Sequence, residues 1–306
     1  MAELSTAQPS AMPFRLSLSA CLIGLAAATL LGAGLVWVIG STLIAVEPHP
    51  VALPDLDAED VLLRAAPDQL VAGSFLPGRG HGAVLLLHGI HGDRREMAAR
   101  ARFLHAQGYA VLLTDLPGQG ASTAAHVTFG LREADGVRAA LAELRRRVPG
   151  QRIGVIGVSL GAASLVLCRD CPPVDAVVLE SMYPTIEEAV ANRLRMRLGP
   201  AGGPLSTLLL WQLPLRLGIR PDALRPIAHI AELKAPVLIA AGSADLHTTL
   251  PETRRLFAAA AQPKTLWVVD GAAHVDLHAF APSEYERRVG AFLARHLDPV
   301  AVAGGD

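Results

Sequence analysis

The chain has little lysine, little cysteine and a long opening stretch with no charge at all. Of its 306 residues 27 are basic, and only Lys234 and Lys264 of these are lysine. That arginine bias suggests GC-rich bacterial coding. The formal net charge is −1, and a phosphate-binding surface needs a basic excess, so nucleic acid is not the expected partner. The cysteines number three: Cys21, Cys168 and Cys171. Cys168-Arg169-Asp170-Cys171 has redox-motif spacing, but it falls at the end of a predicted helix and Pro172-Pro173 follows. A thioredoxin-type motif sits where a strand enters a helix, so the pair reads as a local disulfide if the domain faces an oxidising compartment.

No charged residue occurs between Arg15 and Glu47. The apolar stretch 16–46 is longer than the about 20 residues a helix needs to cross a bilayer. It is also about twice the about 7 to 15 residues of a cleavable signal's apolar core. Leu18-Ser19-Ala20-Cys21 has the look of a lipoprotein signal, but most of the run lies after the cysteine, where such a signal would already have ended. The expectation is a tail over 1–15 and an uncleaved transmembrane anchor over 16–46. Arg15 precedes the span and the next basic residue is Arg64, which places the N-terminus in the cytoplasm and the rest in the periplasm or outside the cell. Pro48, Pro50 and Pro54 among acidic residues suggest a linker over 47–65 that lifts the globular part off the membrane.

Beyond that point, short apolar runs alternate with segments of helical spacing. Strands are expected over 70–76, 83–87, 109–114, 152–156, 176–179, 237–241 and 265–269, and helices over 94–107, 132–148, 162–168, 251–260 and 282–296. Continuous apolar strands alternating with helices imply an α/β fold, a doubly wound and mostly parallel sheet with ligands at the carboxyl ends of the strands. A tail is expected over 299–306.

The run Arg152-Ile153-Gly154-Val155-Ile156 leads straight into Gly157-Val158-Ser159-Leu160-Gly161. A strand reversing into a helix around one residue holds a serine in a strained conformation, so its neighbours must be small. The pentapeptide alone is weak, since this composition produces one by chance roughly 0.1 times per chain. A serine nucleophile needs a base and an acid to orient that base. After Val237-Leu238-Ile239-Ala240-Ala241, the loop Gly242-Ser243-Ala244-Asp245 delivers Asp245. After Leu266-Trp267-Val268-Val269, the loop Asp270-Gly271-Ala272-Ala273-His274 delivers His274. Glu180, at the end of another strand, is an alternative acid. Asp276 lies too close to His274 in sequence to be its natural partner.

With these residues in this order, and with His88-Gly89 and Asp115-Leu116-Pro117-Gly118-Gln119-Gly120-Ala121-Ser122 following two earlier strands, the chain resembles the α/β-hydrolase superfamily over about 66–298. It looks most like membrane-anchored esterase, lysophospholipase and serine-peptidase-like members. The resemblance implies an oxyanion hole from the amides of Ile90 and Leu160, with a helical lid over 184–232. His88 is expected to brace its loop, and Asp115 to shape a turn. The function implied is a serine hydrolase cleaving an ester-type substrate (carboxyl ester, lipid ester or thioester) through an acyl-enzyme on Ser159, with Asp245 and His274. An acyltransferase with the same residues and an inactive binding protein are the alternatives.

No cofactor is needed for that chemistry. His88-x-x-His91 and His274-x-Asp276-x-His278 lack the helical spacing and glutamate base of a zinc protease, so no metal is expected. Arg193, Arg195 and Arg197 alternate with Leu194, Met196 and Leu198 and read either as a site for anionic lipid or as a solvated edge, which is favoured. The apolar stretch 205–217 within the lid reads either as a wall for an acyl chain or membrane, which is favoured, or as ordinary packing. Oligomeric state and acyl preference are left open.

Overall fold

A computed structural model describes residues 18–298; the expected tails over 1–15 and 299–306, and Arg15 with its bearing on orientation, lie outside the described residues. The first element is a helix, α1 (Leu18–Leu43), with a mean hydropathy of 2.3 over its most apolar window and none of that window buried. It is long and apolar enough to cross a membrane, a test that a signal sequence also passes.

The sheet has eight strands: β1 (Glu59–Ala66), β2 (Gln69–Leu76), β3 (Ala83–Leu87), β4 (Ala110–Thr114), β5 (Ile153–Val158), β6 (Ala176–Glu180), β7 (Val237–Gly242) and β8 (Lys264–Val269). Their order is β1-β2-β4-β3-β5-β6-β7-β8. β2 runs antiparallel to β1 and β4, and β3 to β8 are mutually parallel. Between them lie α2 (Ala98–Ala106), α3 (Glu133–Arg147), α4 (Leu160–Leu167), α5 (Ile186–Leu198), α6 (Gly202–Leu210), α7 (Leu213–Leu217), α8 (Leu250–Ala259), α9 (Leu277–Phe280) and α10 (Pro282–Leu297).

The apolar runs of β3 to β7 are buried on both faces, as parallel central strands must be. Alternate side chains of β3 serve two cores. Leu85 and Leu87 join Val137 and Leu141 of α3, while Val84 and Leu86 join Leu104 of α2 and Val289 of α10. Burying each such leucine or valine contributes about 1.5–3 kcal/mol. The sulfurs of Cys168 and Cys171 are bonded, closing the turn after α4.

One expectation changes. The linker over 47–65 is shorter and less free than its prolines suggest, because Glu59–Ala66 is the edge strand β1, with Val61 and Leu63 packed on the core. The remainder is bonded to the domain, His49 N donating to Gly120 O at 2.7 Å and Arg94 Nη2 to Val51 O at 2.9 Å, and just before it Val127 N donates to Ile44 O at 3.1 Å. The globular part is therefore held against the end of α1 rather than lifted off it. The segment 184–232 is helical throughout most of its length, as expected for an insertion between β6 and β7.

Candidate active site

Ser159 stands between β5 and α4 with φ 48° and ψ −104°. A non-glycine residue in that region costs about 1–3 kcal/mol, so the surroundings must hold it there. Ser159 N donates to Glu180 O at 2.8 Å, and Ala163 N donates to Ser159 O at 3.0 Å. The flanking glycines are sterically required: a Cβ on Gly157 would lie 2.7 Å from the Ala162 backbone, and one on Gly161 would lie 2.6 Å from Leu87 O.

The loop after β3 passes beside this serine, and a Cβ on Gly89 would stand 3.9 Å from that of Ser159. Its shape is set by buried polar groups. Leu116 N donates to His88 Nε2 at 2.9 Å, which leaves His88 Nδ1 as the donor to Gly89 O at 2.7 Å. Burial holds His88 below its usual pKa, consistent with a neutral brace. Asp115 accepts from Arg94 N at 2.7 Å and Ala121 N at 2.9 Å and pairs with the Arg94 guanidinium. This fixes the backbone on either side of half-buried Ile90, while Leu160 begins α4, where helix amides have no intrahelical partner.

Asp245 and His274 meet. The loops after β7 and β8 are joined by Ser243 N to Val269 O and Ala244 N to Ala272 O, each 2.9 Å, and by Gly271 N to Ser243 Oγ at 2.8 Å. Across that junction His274 Nδ1 donates to Asp245 Oδ2 at 2.7 Å. Asp245 also accepts from His247 N at 2.7 Å, Thr248 N at 2.9 Å and Thr248 Oγ1 at 2.8 Å. Burial would raise the Asp245 carboxyl, but the bond and charge of His274 and the Thr248 donors outweigh it and hold the group below the usual range. With Nδ1 committed as donor, Nε2 is the basic nitrogen of the neutral ring.

His247 was not among the residues singled out from the sequence. Its ring meets His274 edge-on with centroids 4.8 Å apart. Burial first, then the positive charge of His274 and Arg193, lowers its pKa. The available signal was its position two residues after Asp245. Arg193 also departs from the solvated edge expected of it, being half-buried, whereas Arg195 and Arg197 are exposed.

Glu180 is a correction. It is buried and bonded to Arg100 Nη2 at 2.7 Å and to the Tyr285 hydroxyl, on the α2 and α10 side of the sheet. Its carboxylate is thus committed away from His274, and Asp245 occupies the place considered for it. Asp276 is likewise engaged, with Arg100 Nη2 at 2.7 Å and as the cap of α9. Neither histidine pair converges on a common point, since both His88 nitrogens are bonded and His278 Nε2 faces Glu286 Oε1 at 3.0 Å. Asp245, His247 and His274 do offer ligand atoms within 4.8 Å of one another. A cation there would have to displace the four hydrogen bonds that Asp245 already accepts.

Residues 78–211 match the family described as serine aminopeptidase, S33. The chain is 34% identical over 235 residues to uncharacterized protein Rv2307c of Mycobacterium tuberculosis, covering 75% of this chain and 77% of the relative. It belongs to the α/β-hydrolase superfamily. YqkD of Bacillus subtilis, also uncharacterized, is 25% identical over 212 residues, 66% of this chain and 69% of its own. Among solved structures, the Pyrococcus furiosus esterase Pf2001 shares the fold with a TM-score of 0.68 and 24% identity, covering 83% of this chain and 98% of that one. A Paleococcus ferrophilus monoacylglycerol lipase does so with a TM-score of 0.54 and 19% identity, covering 74% and 99%.

In this α/β-hydrolase the segment 184–232 is tied to the loop that carries Asp245 and to α8, with Asn192 Nδ2 of α5 donating to His247 O at 3.2 Å and to Glu252 Oε1 at 2.9 Å. Two surface clefts, around His81, Tyr109 and Asp298 and around Trp267, Phe292 and Arg295, are not lined by Ser159, Asp245 or His274.

Proposed function

We propose that the chain is a membrane-anchored serine hydrolase acting on an ester-type substrate, with Ser159 as nucleophile, His274 as general base and Asp245 as the orienting acid. The observation that carries this reading is the 2.7 Å bond from His274 Nδ1 to a buried Asp245, across the loops of adjacent strands. It occurs in a sheet whose fifth strand ends in a strained serine. His274 Nε2 takes the Ser159 proton as Oγ attacks the carbonyl carbon, forming a tetrahedral oxyanion. The amides of Ile90 and Leu160 receive that oxygen, and losing one such donor would cost about 3–4 kcal/mol of transition-state stabilisation. His274 then gives its proton to the leaving alcohol or thiol. Water, deprotonated by the same nitrogen, attacks the acyl-enzyme and frees the acid and Ser159.

Structural likeness to an esterase and a monoacylglycerol lipase supports an ester over other acyl substrates. The hydrolase domain then begins at β1, with α1 as an uncleaved anchor and the domain on the outer face. The bonded Cys168–Cys171 pair supports an oxidising compartment. A fluorophosphonate probe should label the full-length protein, and Ser159→Ala should abolish labelling. A folded wild-type protein that takes up no probe would leave a binding protein as the answer, and product transfer to an added alcohol acceptor in preference to water would make it an acyltransferase. Resistance to alkaline carbonate, with digestion of the domain by protease added to spheroplasts, tests the anchor and its orientation.

A further inference from the structure

The lid helices are bonded to the membrane helix. Gln212 Nε2 donates to Val36 O at 3.1 Å, Arg216 Nη1 donates to Ser41 Oγ at 2.9 Å, and Arg216 Nη2 donates to Trp37 O. The guanidinium lies 3.7 Å from the centroid of the Trp37 ring. Gly40, the buried residue of α1, permits this approach, since a Cβ there would stand 2.5 Å from Gln212 Oε1.

These contacts fix a depth. At about 1.5 Å per residue, the 26 residues of α1 extend about 39 Å, longer than a hydrocarbon core of about 30 Å. About 20 residues counted from Leu16, the first after Arg15, reach Leu35, two residues before Trp37, a residue type that gathers at the headgroup boundary. Val36, Trp37 and Ser41 therefore lie near the interface, and the lid residues bonded to them lie at the same level. The short bonded connection from Ile44 to Val51 keeps the domain there.

At that level the lid presents an unusual surface. Leu208, Trp211 and Leu215 are 47%, 70% and 79% exposed, at spacings of three and four that place them along one side of α6 and α7. This side flanks Gln212 and Arg216. The opposite side, Leu210, Leu213 and Leu217, packs on the core. No charged residue occurs over 199–215, whereas the outward face of α10 carries Glu284, Arg287, Arg288 and Arg295. Exposed Arg195 and Arg197 stand at the preceding turn of α5, suited to anionic headgroups.

We propose that the Leu208, Trp211 and Leu215 face seats in the headgroup region of the bilayer that α1 spans, with Gln212 and Arg216 as the key, so that the enzyme takes an ester lipid resident in that bilayer. The substrate class rests on the hydrolase reading above; the seating rests only on α1 being retained. In the test, Trp37→Phe and Trp267→Phe leave Trp211 as the sole tryptophan of the full-length protein in proteoliposomes. Phospholipid brominated near the headgroup should quench its fluorescence about twofold, also in a Ser159→Ala background, so docking is read whether or not the protein hydrolyses anything. Arg216→Ala should weaken that quenching. Trp211 that stays unquenched while the protein resists carbonate overturns the docking, and release by carbonate overturns the anchor and the docking together. Replacing Leu208, Trp211 and Leu215 with serine should lower the ratio of rates on vesicle-embedded monoacylglycerol and water-soluble p-nitrophenyl acetate about tenfold. A ratio that does not move overturns the assignment of substrate while leaving hydrolysis of the soluble ester in place.

Discussion

Two buried carboxylates follow neighbouring parallel strands: Glu180 ends β6, and Asp245 stands three residues past the end of β7. Both are almost fully enclosed, so burial does not distinguish them. Their partners do. Glu180 faces the Arg100 guanidinium, a cation that does not release its proton, and the Tyr285 hydroxyl, whose pKa burial and the charge of Glu180 push well above its usual value. Both partners hold their protons at neutral pH. Asp245 faces an imidazole whose other nitrogen can exchange a proton. A carboxylate in the first setting holds elements together, because Arg100 brings α2, β6 and Asp276 to one point. A carboxylate in the second can stabilise an imidazolium as it forms. The two are nevertheless connected, for Asp276 lies two residues after His274, so the ion cluster on Glu180 anchors the loop that carries His274.

The largest effect expected is that of Asp245→Asn. The amide reverses the preferred tautomer of His274 while keeping its shape, and kcat should fall by about 10⁴. Ester turnover, with circular dichroism to confirm the fold, measures it. A small loss there, and a loss of that size in Glu180→Gln, would exchange the two roles. Glu180→Gln is expected to act on stability, because it removes the main countercharge of buried Arg100. Breaking such a pair costs about 3–5 kcal/mol, read from denaturant unfolding, with turnover per folded molecule falling less than tenfold. Tyr285→Phe should cost less, about 1–3 kcal/mol, since it removes the bonds that an uncharged hydroxyl makes to Arg100 Nε and Glu180 Oε1 and leaves the ion pair intact.

This distinction was only half legible in the sequence. Ser159, Asp245 and His274 could be found because each follows a continuous apolar run, and such runs announce buried parallel strands whose carboxyl ends share one edge. Glu180 meets the same criterion, and nothing local says toward which face its side chain turns or that Arg100, 80 residues earlier, will claim it. His247 was missed because a lone histidine in a loop carries no periodic signal. The edge strand β1 was hidden among acidic and proline residues that resemble a tether, its inward side marked only by Val61 and Leu63. The contact between Gly40 and Gln212 joins residues far apart in the chain, which no local pattern encodes.

A third buried titratable group extends the contrast, and its effect is the smallest. His88 has no cation or proton-exchanging partner, and burial lowers its pKa. Between that lowered value and the unfolded value of about 6.5, the unfolded chain binds the extra proton, so stability falls as pH falls. Its contribution is complete above about pH 6.5 and declines by at most about 1.4 kcal/mol per pH unit below it. His247, also lowered, adds to the wild-type slope in the same window. Asp245 acts elsewhere: its folded pKa is depressed, so its contribution is present above about 3.9 and is lost only as pH falls through the folded value. Denaturant midpoints at about pH 7.5, 6.5 and 5.5 should be compared for wild type and His88→Gln, which keeps a donor and an acceptor without a titrating ring. The variant should start less stable and show the shallower slope. Parallel slopes would mean that His88 carries a proton in the folded loop, and the neutral brace beside Ile90 would have to be abandoned.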